Sequence, residues 1–178
     1  MGEQDMPEIH FINGARAALQ NGALGVGEHH DSDSARHYIY EWMVSGLVTS
    51  LVLEIILFDD FTEDENDRMV GYVDNRWPGN QIPFTHLMRL ARSLNIAIYA
   101  WDPGDRPGVS MPQNVANRNA TVVTAFRAQF PGPLPVTNAV GCVVLFGVSH
   151  FGAENTSINM LLGNALPWID LSAPPPHA

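Results

Sequence analysis

The sequence predicts a three-layer α/β fold, a mostly parallel central sheet of about four to five strands with helices on both faces. Strand-length apolar runs alternate with helix-period segments from residue 8 to residue 171, the order that gives parallel strands and right-handed crossovers. Two of those runs end in the same signature, Gly-x-x-His, at Gly27–His30 and Gly147–His150. Each places a histidine just past a strand's carboxyl end, where open α/β sheets gather ligands.

The elements follow in order. Residues 8–20 place Ile9, Ile12 and Leu19 at helical spacing and stop at Asn21-Gly22, a helix-end signal. A strand over 23–28 follows, then a helix N-capped by Ser32 or Asp33 and stopped by Gly46. The next strand covers 50–57 and leads into an acidic loop. QIPFTHLMRLARSLN sets Phe84, Leu87, Met88, Ala91 and Leu94 on one helical face before the strand IAIYAW at 96–101. WDPGDRPG is a turn by composition, and the helix after it carries Val115, Asn119, Val122 and Phe126 as a stripe until PGPLP breaks it. A strand over 139–147, a short helix near 153–162 and an edge strand near 166–171 complete the pattern, with no internal repeat beyond the doubled Gly-x-x-His.

A chain of 178 residues and 46% hydrophobic content suits one domain, 1–178, ending in a Pro-rich tail at 172–178. The longest apolar stretch is interrupted by Glu54, and the N-terminus has neither a basic nor an apolar signal region, so no membrane association and no Sec signal are predicted. Cys142 is the single cysteine, which excludes an internal disulfide and a cysteine-rich zinc site. A formal charge of −10, with acids clustered at 59–67, argues against nucleic acid as a partner. All nine basic residues are arginine. Two causes fit: a GC-rich genome, or a life in a eukaryotic cytosol where lysine is the usual ubiquitin acceptor. The expected location is therefore the bacterial cytoplasm, or a host cell reached without a Sec signal.

The chemistry concentrates on a few residues. Glu54 lies within LVTSLVLEIILF, and a lone carboxylate among Leu, Val and Ile costs several kcal/mol unless something neutralises or uses it. Parallel strands would bring Glu28, His30, Glu54, Asp102 and His150 to one edge of the sheet. Each has a plainer alternative. Glu54 could pair structurally with Arg36 or Arg118, Asp102 could start the turn at Pro103, and His37 could sit on a solvated face between Asp33 and Glu41. His29 reads as a surface residue, since adjacent side chains of an extended segment face opposite ways.

LGVGEHHDSDSARH, LVLEIILFDD, HLMRLARSLNIAIYAWD, NVANRNATVVTAF and VVLFGVSHFG followed by LPWIDL, in that order from about residue 15 to 171, resemble the erythromycin-esterase/ChaN/Tiki superfamily. The resemblance implies a cleft lined by Glu28, His30, Glu54 and His150, with a basic or histidine position at Arg36 or His37. It also implies a range of activities. Tiki-like members are similar to metalloproteases, esterase members open a macrolide lactone, ChaN-like members bind haem, and the domain occurs in bacterial toxins and plant-cell effectors that provoke cell death. Two departures stand out. The segment 59–80 is too short for the family's helical cover, so the site should be open, favouring a macromolecular substrate, a homodimer that completes the cleft, or a recognition role. The late helix carries Arg118-Asn119 rather than the Arg-Asp of ChaN-type members.

Two mechanisms suit two imidazoles and two carboxylates. In one, His30, Glu54 and His150 bind a divalent metal that acidifies a water, with Glu28 as general base. In the other, His30 activates water directly, oriented by Glu28 or Glu54, and His150 or Arg36 stabilises the oxyanion. The functional expectation is a hydrolase, esterase or metalloprotease-like, acting as a bacterial toxin or effector in a host cell. The alternatives are a haem- or iron-binding module using Tyr38, Tyr40 and the histidine pair, and an inactive effector that a host receptor recognises through 59–80.

Overall fold

The computed structural model describes residues 8–173. Residues 174–178 of the predicted Pro-rich tail lie outside the described residues, as does the N-terminal segment 1–7. The chain runs α1 (Ile12–Asn21), β1 (Leu24–Glu28), α2 (Ser34–Val44), β2 (Ser50–Leu53), α3 (Glu63–Asp74), α4 (Phe84–Ser93), β3 (Ala97–Tyr99), α5 (Met111–Gln129), α6 (Pro135–Asn138), β4 (Cys142–Gly147), α7 (Ile158–Leu161) and β5 (Trp168–Asp170). The strands form one all-parallel sheet in the order β3-β2-β4-β1-β5, with β5 at the predicted edge. This is the three-layer α/β architecture.

Strands β1, β2 and β4 are buried along their whole length, as parallel strands covered on both faces must be. Side chains alternate across the sheet. Leu24, Val26, Leu51, Leu53, Val143 and Leu145 meet the helices α1 to α4, whereas Val52, Val144 and Phe146 meet α5, α6 and α7. The register sets Glu28 beside Gly147 and Leu53 beside Leu145, so β1, β4 and β2 finish together at one edge. Among the described residues no helix is long and apolar enough to cross a membrane.

Three expectations are corrected. The strand predicted over 50–57 ends at Leu53, and Glu54 donates one last backbone bond to Leu145 before the chain bends away. The carboxylate thus stands at the rim rather than in mid-strand, where no cation could reach it. The supposed loop 59–80 contains α3, whose capping box joins Thr62 and Glu65: the Thr62 N–H donates to Glu65 Oε2 at 2.8 Å and the Glu65 N–H to Thr62 Oγ1 at 3.3 Å. Leu94 is 42% exposed, because the helix stops at Ser93 and Asn95 turns left-handed with φ 56°.

Candidate active site

Glu28, the last residue of β1, is fully buried and carries its charge between two partners. Its Oε2 accepts from Arg36 Nε at 3.0 Å and its Oε1 faces His30 Nδ1 at 3.0 Å. Arg36, buried in the first turn of α2, also donates to the carbonyls of Ile82 at 3.1 Å and His30 at 3.2 Å, and its guanidinium lies 4.5 Å over the Phe84 ring. The pair is therefore satisfied on every side, the condition under which a buried ion pair survives desolvation. Because Glu28 accepts, His30 Nδ1 carries a hydrogen and Nε2 turns outward.

Glu54 is the second acid. Its Oε1 accepts from Arg118 Nη2 and lies 3.2 Å from His150 Nε2, while Oε2 accepts from the Gly147 N–H at 2.6 Å and lies 3.5 Å from His30 Nε2. Burial pushes this carboxyl up, but the hydrogen bond and charge of His150, the charge of His30 and the Gly147 N–H outweigh it and hold it down at about 2. Burial likewise works against the Arg118 charge, yet Asp102 and Glu54 raise its pKa. Asp102 accepts from Arg118 Nε at 2.7 Å and also from the Gly104 N–H at 3.0 Å, so its ion-pair and turn roles coexist. Asn119 donates to the Thr156 carbonyl at 2.8 Å, which turns its Oδ1 toward His150 Nδ1 at 2.5 Å.

His30 gains basicity. The hydrogen bond to Glu28 is the main cause; burial opposes it, and the charges of Glu54 and Glu28 add to it, so its pKa rises above 6.5. Below that raised value the ring is an imidazolium between two carboxylates. Above it, Nε2 presents a lone pair.

A cavity of about 240 Å³ opens over this cluster, with His30, Glu54 and Arg118 on one side and Val73, Arg76 and Trp77 on the other. The Trp77 and His30 ring centres are 5.2 Å apart. The segment predicted to leave the site open instead forms one wall of it. At the base, a Cβ placed on Gly147 would lie 3.4 Å from Glu54 Oε2, 3.5 Å from His30 Nε2 and 3.8 Å from the His150 ring. These are ordinary contact distances, so the Gly147 backbone packs directly against the carboxylate and both imidazoles.

Of the predicted residues, Glu28, His30, Arg36, Glu54 and His150 come together, although Arg36 holds Glu28 and does not line the cavity. His37 does not join them. It is exposed on another face, with Nε2 3.6 Å from Asp33 Oδ2, because Arg36 takes the inward position of α2. His29 is exposed as well. Tyr38 packs on Trp42 and Tyr40 on His86, at 6.2 and 5.6 Å, so neither tyrosine of the haem reading lines the cleft. Trp77 and Arg76 escaped the sequence reading. Their only signal was a T-x-x-E capping box inside the acidic run, which announces a helix ending at the cleft.

The two histidines have the outer partners typical of metal ligands, an oxygen acceptor on each Nδ1. Glu54 fits the role poorly. Its oxygens already accept from a guanidinium and a backbone N–H, and Arg118 sets a positive charge where a dication would have to sit. No family model, no curated protein and no solved structure matches the chain.

Proposed function

We propose that the protein is a hydrolase of ester or amide bonds in which His30 is the general base. The observation that carries this reading is the orientation of His30: Nδ1 is held by a buried, ion-paired Glu28, and the ring lines a cavity with Nε2 on the side of Glu54. A water in the cavity within reach of His30 Nε2 would also meet Glu54, whose Oε2 lies 3.5 Å from that nitrogen. Neutral His30 takes a proton from it as the oxygen attacks the substrate carbonyl, and the tetrahedral oxyanion faces the Arg118 guanidinium. The C–O or C–N bond then breaks, and the imidazolium returns its proton to the departing alcohol or amine. His150 positions Glu54, and Glu54 balances the imidazolium charge.

The biological setting we assign is that of a bacterial toxin or effector in a host cell. The absence of lysine and the resemblance to the erythromycin-esterase/ChaN/Tiki superfamily support it. A second reading, an inactive effector recognised by a host receptor, draws on the exposed Phe58, Phe61, Met69 and Tyr72 of the α3 region. One pair of assays separates them. Hydrolysis of a panel of p-nitrophenyl esters and peptide amides should fall about 10²-fold or more in Glu28→Gln, and host-cell death should fall with it. Cell death that persists in Glu28→Gln and is lost in Tyr72→Asp favours the inactive effector; a wild-type protein that cleaves nothing in the panel removes the hydrolase reading.

A further inference from the structure

We infer that the substrate of this cleft carries an anionic oxygen group, carboxylate or phosphate, that Arg76 grips while Trp77 stacks on the adjoining part of the molecule. The inference rests on the hydrolase reading for the word substrate, but on separate residues for the recognition. Charge pairing in the cavity wall is unequal. Arg118 serves Glu54, Asp102 and Asp105, and the buried Arg36 serves Glu28. Among the described residues Arg76 lines the same cavity without an ion pair or a side-chain hydrogen bond. A guanidinium presents its donors as a planar fork matched to carboxylate and phosphate oxygens.

The wall that carries Arg76 is fastened to the site. Asn80 donates to the His30 carbonyl at 2.9 Å, Asp33 Oδ2 accepts from the N–H groups of Gln81 at 2.5 Å and Ile82 at 2.9 Å, and Arg36 donates to the Ile82 carbonyl at 3.1 Å. Asp74, at the end of α3, accepts from the Phe84 and Thr85 N–H groups at 2.8 and 3.1 Å and so caps α4. Arg36 therefore secures both the catalytic pair and the wall that faces it. A backbone held this way needs no ordering on binding, which leaves only the Arg76 side chain to be fixed. The cavity of about 240 Å³ is below the ~300–1,000 Å³ of drug-sized sites, which limits it to a small acyl group or the terminal moiety of a longer substrate.

Calorimetric titration of the full chain with succinate and, separately, inorganic phosphate tests recognition without any turnover. At least one anion should bind wild type and lose about tenfold or more in affinity in Arg76→Ala, with Arg76→Lys between them. Succinate alone binding identifies a carboxylate, and phosphate alone identifies a phosphate group. Neither anion binding, or equal binding to wild type and Arg76→Ala, overturns the inference. Hydrolysis is measured beside it, comparing p-nitrophenyl acetate with the p-nitrophenyl hemiester of succinic acid. Arg76-dependent binding without cleavage of any ester or peptide amide sinks the hydrolase reading and leaves the recognition site standing; where succinate is the anion that binds, cleavage without a preference for the hemiester overturns the anion preference and leaves the hydrolase.

Discussion

The two Gly-x-x-His segments share a sequence pattern and differ in what each residue does. In the first, Gly27 makes room for the second: a Cβ there would lie 3.2 Å from the Val148 Cα, so the chain after β4 would have to shift by a few tenths of an ångström. In the second, a Cβ on Gly147 would meet only ordinary contacts, and the residue serves the site through its backbone, donating its N–H to Glu54 Oε2 at 2.6 Å. The histidines diverge likewise. His30 is about one-third exposed, faces the cavity and rests on a carboxylate, whereas His150 is buried and rests on the neutral amide of Asn119. Glu28 makes His30 a stronger base while His30 faces the cavity, whereas His150 is held between the Asn119 amide and the Glu54 carboxylate, 3.2 Å from its Nε2. The same Gly-x-x-His pattern thus supplies a reactive group once and a support once.

The sharpest way to break that distinction is His30→Ala. It should lower kcat/KM about 10³-fold while the melting temperature moves little, and in wild type the rate should climb with pH through an inflection above 6.5, where Nε2 loses its proton. An inflection below 6.5, or His150→Ala alone reproducing the loss without destabilising the fold, would reverse the two roles.

Next in size is the acid limb of stability. Glu54 is held down at about 2 from an ordinary 4.5, so its contribution, about 3 kcal/mol, is complete above 4.5 and disappears as pH falls toward 2. His30 behaves oppositely: its raised pKa stabilises the fold below 6.5, and that part is lost as pH rises through the folded value. Urea denaturation from pH 2 to 9 should show both limbs, and Glu54→Gln should flatten the acid one.

The two glycines separate function from packing. Gly147→Ala keeps φ −52°, which alanine adopts freely, and meets only ordinary contacts, so it should fold normally and lose about 10²-fold in rate as its methyl, 3.5 Å from His30 Nε2, crowds the attacking water. Gly27→Ala should instead destabilise by about 1–3 kcal/mol, because the backbone of the second motif must move. Smallest of all, His37→Ala should change neither rate nor melting temperature measurably, as expected of an exposed histidine on another face.

Much of this was legible in the chain. Strand and helix alternation, with its apolar periods, located every strand and the covering helices other than α3 and α6, because burial on both faces imposes apolar runs on β1, β2 and β4. Polar residues at strand ends pointed to Glu28, His30, Glu54 and His150. Helix α3 was obscured because the acidic run of its first turns, Glu63, Asp64, Glu65 and Asp67, resembles a solvated loop when read as composition, although Asp67 turns inward to Arg89 and Arg92.

What the amino-acid order determined by itself was therefore the layer architecture and the edge of the sheet where acids and histidines gather, both consequences of local periodicity and chain direction. Tertiary structure alone decided that Arg36 rather than His37 turns inward, that Arg118 crosses from α5 to Glu54, and that Arg76 and Trp77 wall the cavity. Those outcomes depend on contacts between segments tens of residues apart. A side chain's partner in space is set by how whole helices pack, and the spacing of its neighbours in sequence carries no record of it.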